Sequence, residues 1–77
     1  MKNIENSECL TDFGIFIKKG REAHGLYQSD IASRLGISQV YYSHIERGLR
    51  NVDLVMALKI CRELNLDMND YVDVYLK

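Results

Sequence analysis

Two short stretches of helical period lie only three residues apart, separated by Gly36-Ile37-Ser38. A connection that short, with glycine in it, joins two helices at a steep angle. Residues 28–35 carry Ile31, Ala32 and Leu35 as an inner stripe. Residues 39–47 carry Val40, Tyr41, Tyr42 and Ile45 as their only apolar or aromatic positions. Ala32 stands where the two helices must approach closely, and its small side chain allows it. Gly36 suits the positive φ that a sharp helix exit needs. Ile37 is expected to plug the core from within the turn, and Ser38 to cap the second helix of the pair. That second helix keeps a polar face of Gln39, Ser43, His44 and Arg47 free of the core.

The rest of the chain reads as three further helices, giving an all-α, compact five-helix fold. The first is predicted from about Thr11 to Ala23, with Thr11 or Asp12 as its cap. Phe13, Phe16, Ile17, Gly20 and His24 share one face, and His24-Gly25 ends it. Gly20 costs this helix about 1 kcal/mol relative to alanine. The fourth is predicted from about Leu54 to Leu64, capped by Asp53 and closed by Asn65, with Leu54, Val55, Leu58, Cys61 and Leu64 facing inward. The fifth follows Asp67, from about Met68 to Leu76. Its stripe of Tyr71, Val72, Tyr75 and Leu76 suits either the closing of a monomer core or a dimer seam, and is read as the seam. Residues 1–10 are an extension open to reading as an arm, a strand or disorder; residues 11–77 form the domain.

At 77 residues the chain makes one domain at most. A domain this small buries about 60% of its unfolded surface, so a second subunit would supply useful burial. Cys9 and Cys61, the two cysteines, lie far apart without a CxxC or paired histidines. They read as reduced thiols of a cytoplasmic protein, with no metal site and no cofactor expected. The N-terminus lacks a signal peptide's apolar run, and no stretch approaches the ~20 apolar residues of a membrane span. Cys9, Cys61, His24 and His44 offer no nucleophile–base spacing, there is no glycine-rich phosphate loop, and no small-molecule ligand is evident. An enzyme is not expected. The net charge of −1 is uninformative, but its distribution is not: residues 14–50 sum to +3, while residues 1–13 and 51–77 sum to −2 each. A basic middle between acidic ends fits a nucleic-acid face on the middle segment or, equally, a mixed solvated surface.

The stretch GLYQSDIASRLGISQVYYSHIERGLRN resembles the helix-turn-helix of the Cro/phage-repressor (XRE) family. Gln28, Ala32, Gly36-Ile37-Ser38, Tyr41, Ser43 and Ile45-Glu46-Arg47-Gly48 carry the likeness, which extends from about Phe13 to Leu66. The resemblance implies a lambda-repressor-like DNA-binding domain, its helix-turn-helix over about 28–47. The short length and the Arg-Gly-x-Arg-Asn run look most like the small dimeric controller proteins of restriction–modification systems; phage and mobile-element regulators are equally compatible. It also implies roles. Gln28 matches a phosphate-contacting glutamine. Gln39, Val40, Ser43 and His44 occupy base-facing positions. Arg47 and Arg50, with Ser38 and Tyr41, belong to the backbone-contacting set. Arg21 and Glu46 match an internal arginine–glutamate pair. Three departures stand out. Gly20 replaces a large aliphatic residue, Tyr42 replaces isoleucine or valine and is expected to fill the volume Gly20 leaves, and Gln39 stands where controller proteins often carry arginine.

Other readings of these residues stay in view. Tyr41 and Tyr42 point about 100° apart on a helix and so cannot form one stacking platform for single strands. His44 is either a base reader or a solvated side chain. The expectation is a homodimeric, sequence-specific regulator binding a pseudo-palindrome in double-stranded DNA, its recognition helices ~34 Å apart. The alternative is a protein-interaction module, such as an antitoxin-like partner, working through the acidic C-terminal part.

Overall fold

A computed structural model describes the backbone of residues 2–75 and the side chains of residues 12–75. Five helices follow one another: α1 (Lys2–Ala23), α2 (Gln28–Leu35), α3 (Gln39–Glu46), α4 (Leu54–Glu63) and α5 (Met68–Tyr75). Among the described residues there is no strand. The fold is all-α.

The turn between α2 and α3 is built from three local devices. Gly36 takes φ 72°, in the left-handed region. That conformation lets the Ile37 and Gly36 amides donate back to the carbonyls of Ala32 and Ser33, at 3.0 and 3.2 Å, satisfying acceptors that a helix end leaves open. Ser38 Oγ then accepts from the Tyr41 amide at 3.1 Å and starts α3. Asp53 starts α4 in the same way, accepting from Met56 at 2.8 Å. Asn65 closes α4 with φ 56°. At α2 the N-cap is Tyr27, whose side chain cannot serve; Asp30 reaches back instead and accepts the Tyr27 amide at 2.8 Å.

α1 spans Lys2–Ala23, so Thr11 and Asp12 lie inside it and not at its start. A capping residue starts a helix only where the preceding chain leaves helical geometry. The segment before Thr11 has neither proline nor glycine to make it do so.

Phe13, Ile17, Ile31, Ala32, Tyr42, Ile45, Ala57, Ile60, Cys61, Leu64 and Tyr71 form one buried cluster, with Ile37 packed against it. On α4 the buried stripe is Ala57, Ile60, Cys61 and Leu64, at i, i+3, i+4 and i+7, where the helix packs on α2. Leu54, Val55 and Leu58 were expected inside and are exposed instead, at 69, 60 and 48%. The expected stripe followed the largest aliphatics; the helix is rotated so that the smaller Ala57 faces the core.

Tyr71 corrects the reading of α5. It is buried within the single chain, edge-on to Phe13 (5.5 Å between ring centroids) and tilted on Phe16 (5.3 Å). It holds α5 on α1 and is not free to serve a seam. Tyr75 stacks on Tyr71 at 5.3 Å and is half-buried, Val72 is exposed, and Leu76 lies outside the described residues.

Two glycines of α1 mark close approaches. A Cβ on Gly14 would run into the α3 backbone, coming 2.7 Å from the Glu46 carbonyl carbon and 2.9 Å from the Ile45 oxygen. A Cβ on Gly20 would meet the end of the Leu66 side chain, 2.6 Å from Cδ1. Leu66, not Tyr42, fills the space beside Gly20. At the end of α1, His24 Nε2 donates to the Leu64 carbonyl at 2.7 Å, tying it to the end of α4.

These contacts separate the two glycines experimentally. Gly14→Ala should lower unfolding free energy by about 1–3 kcal/mol, because backbone cannot yield. Gly20→Ala should change it by less than about 1 kcal/mol, since Leu66 can rotate and the helix gains propensity. Urea denaturation of both variants measures the difference; equal losses would contradict it.

Candidate nucleic-acid interface

α3 has its buried side on Tyr42, Ile45 and Glu46. Its other side turns Gln39, Val40, Ser43 and His44 outward, with Arg47 just past its end. Together with Gln28 from the start of α2, these five line one open cleft. The steep helix pair therefore brings into one groove residues that are distant in sequence. Val40 is 65% exposed, an apolar side chain standing alone among polar neighbours.

Arg47 and Arg50 flank this groove, and both are exposed. Among the described residues, neither has a carboxylate within ion-pair distance. The Arg50 guanidinium lies over the Tyr41 ring at 5.2 Å from its centroid, a cation–π contact that steadies a long side chain. Tyr41 is half-buried on the core. Ser38 already accepts one hydrogen bond as the α3 cap. Tyr27, which the sequence reading passed over, is 76% exposed immediately before Gln28. The signal that could have found it is positional: an aromatic residue at a helix start, where its hydroxyl cannot cap, has no local reason to be there.

Beneath the groove lies a buried ion pair. Arg21 Nε donates to Glu46 Oε2 at 2.7 Å and its Nη2 to Oε1 at 3.2 Å. Arg21 Nη1 donates to the Leu26 carbonyl at 2.7 Å. The two residues are 9% and 5% exposed. Gln28 Nε2 completes the set by donating to Glu46 Oε1 at 2.9 Å. Burial alone would raise the Glu46 carboxyl; the hydrogen bonds from Arg21 and Gln28 and the Arg21 charge outweigh it and hold it below its ordinary range. The Arg21 guanidinium is pushed up by its hydrogen bond to Glu46, against the opposing effect of burial. The Tyr42 hydroxyl is buried nearby without a hydrogen-bond partner among the described residues. Burial, with the Glu46 charge adding to it, holds this phenol well above its usual range.

A helix-turn-helix family model matches residues 17–71. The chain belongs to the XRE-type helix-turn-helix family of DNA-binding transcriptional regulators. Control protein C.MunI of Mycoplasma sp is 39% identical to it over 59 residues, which are 75% of this chain and 80% of that protein. No helix among the described residues is long and apolar enough to cross a membrane.

The pair generates a stability prediction. Glu46→Ala leaves Arg21 buried without its partner and should cost about 3–5 kcal/mol. A loss under about 1 kcal/mol would match an exposed pair and contradict the burial described here. Because the Glu46 carboxyl sits below its ordinary value of 4.5, the pair's contribution is complete above that pH. It is lost as pH falls through the lower, folded-state value. Thermal melts from pH 7 downward should show this acid loss in the wild type and a smaller one in Glu46→Ala.

Proposed function

We propose that the chain acts as a homodimer that reads a pseudo-palindromic operator with α3 in the major groove, as a regulator of the controller-protein kind working in the cytoplasm. The groove lined jointly by Gln28 and the outward face of α3, beside two unpaired arginines, is the observation that supports it most. Gln39 suits bidentate bonding to adenine N6 and N7, and Val40 suits a thymine methyl. Ser43 and His44 complete the base-reading set. Gln28, Ser38, Tyr41, Arg47 and Arg50 hold the phosphate backbone, and Tyr27 adds a neutral hydroxyl donor at the same edge. These contacts involve binding alone, and no residue is assigned to catalysis.

The domain is taken as residues 11–77, with the segment from about 68 to 76 serving dimerisation. The exposed set on α4 widens that face. Leu58 lies in a cleft with Cys61, Arg62 and Met68, at the junction of α4 and α5. Leu54, Val55, Leu58 and Val72 are all large, apolar and exposed, and a second copy would cover them. The relative is a control protein, which favours the same regulatory reading.

An electrophoretic shift on the DNA upstream of the chain's own gene, at 50 mM salt, tests the function. Affinity should fall steeply as salt rises, and Arg47→Ala should reduce the slope of log K against log salt by about 1. Gln39→Ala with His44→Ala should abolish site preference while leaving the melting temperature unchanged. No shift on any upstream fragment would favour a protein-interaction module instead.

Sedimentation equilibrium tests the dimer. The wild type should sediment as a dimer and Leu58→Glu as a folded monomer that binds DNA more weakly. A monomeric wild type would remove the dimer from the reading.

A further inference from the structure

The hydrogen bond between Gln28 and Glu46 joins the buried ion pair to the groove, and we propose that Glu46 is a positioning residue for DNA binding. Its carboxylate holds the Gln28 amide so that the second N–H of Nε2 is presented to a phosphate. This rests on the reading of Gln28 as a backbone contact.

A phosphate binds by accepting hydrogen bonds. Its oxygens are acceptors only, so a glutamine contributes to phosphate binding only through its NH2 end. An unrestrained glutamine amide flips freely and turns its carbonyl oxygen toward the phosphate as readily as its nitrogen. An ionised carboxylate is also an acceptor only. Glu46 Oε1 therefore selects the NH2 end, at 2.9 Å, and sets which way round the amide sits. One of the two hydrogens on Nε2 is used by Glu46. The other has no partner among the described residues, and Gln28 borders the groove shared with Gln39 and Arg47.

Two features make Glu46 able to do this. Arg21 grips both carboxylate oxygens and is itself anchored on the Leu26 carbonyl, so Glu46 is a fixed acceptor. Arg21 also cancels the Glu46 charge, which would otherwise repel an approaching phosphate. Gln28 then acts as a neutral bridge between two anions, one already neutralised.

A neutral donor leaves a distinct signature. Counterion release follows cationic contacts, so losing the Gln28 contact should weaken binding without altering its salt slope. The test is fluorescence anisotropy with a labelled duplex of the upstream DNA, from 50 to 200 mM KCl. It compares the wild type, Gln28→Ala, Glu46→Gln and the double variant at a temperature where circular dichroism shows all to be folded. Gln28→Ala should weaken binding about five-fold, as expected for one hydrogen bond. Glu46→Gln should weaken it about three-fold, because an amide at 46 no longer selects one end of Gln28. The double variant should bind no more weakly than Gln28→Ala, and the salt slopes of the wild type and Gln28→Ala, which carry the same charge, should agree. Multiplicative losses in the double variant would overturn the proposal. A Gln28→Ala that binds like the wild type would overturn it too, while leaving the regulator's DNA binding intact. A wild type that binds no duplex would overturn both. If Glu46→Gln fails to fold, the side-chain 15N relaxation of Gln28 in the free wild type decides. An ordered amide supports the proposal, and an amide as mobile as that of Gln39 overturns it.

Discussion

The bidentate pair between Arg21 and Glu46 is the contact on which the arrangement of helices depends. Arg21 comes from the last turn of α1 and Glu46 from the end of α3. The third Arg21 donor holds the Leu26 carbonyl in the loop before α2. Gln28 from α2 takes the remaining side of the carboxylate. One buried charge pair thus locates three helices relative to each other. Such pairs add little net stability compared with well-packed apolar residues, because both ions lose their water. Their geometry is directional, however, and apolar packing is not. α1 and α3 need that direction, since Gly14 lets their backbones come together with almost no tolerance.

Around this pair the molecule divides its surface. The side built by α2 and α3 carries unpaired arginines, amides and a histidine in an open groove. α4 and α5 carry the exposed aliphatic residues Leu54, Val55, Leu58, Val72 and Val74. For the dimer proposed above, α3 would read one half-site and the exposed aliphatic residues would join the two copies. Residues 14–50 sum to +3 in a chain whose net charge is −1, and Arg47 and Arg50 are exposed.

Local signals were legible where local chemistry decides. Gly36, Ser38, Asp53 and Asn65 mark helix ends by their own backbone and side-chain properties, and the structure has its helix ends there. The start of α1 was misread because a capping residue is permissive, not compulsory. The exposed aliphatics of α4 were misread because side-chain size was used where the rotation of the helix decides. Tyr71 was misread because periodicity gives a face and does not say what covers it; Phe13 and Phe16, far away in sequence, cover it. Gly20 shows the same limit, since its neighbour is Leu66 and not the bulky Tyr42 of the adjoining motif. The polar residues of α3 were legible as a set, because a helix with one apolar seam leaves its other face outward. Their grouping with Gln28 in one groove follows from the crossing angle.

By itself the sequence determined an all-α fold, the helix-turn-helix and the residues its second helix turns outward. These follow from period, capping and the conformational freedom of glycine, all of which act within a few residues. Only the tertiary structure decided that Gln28 and Glu46 share a hydrogen bond, that Tyr71 belongs to the core, and that Leu54, Val55 and Leu58 lie outside it. Those outcomes depend on how helices are rotated and spaced against each other. That is set by long-range packing, at Gly14 and around Arg21, which no local pattern records.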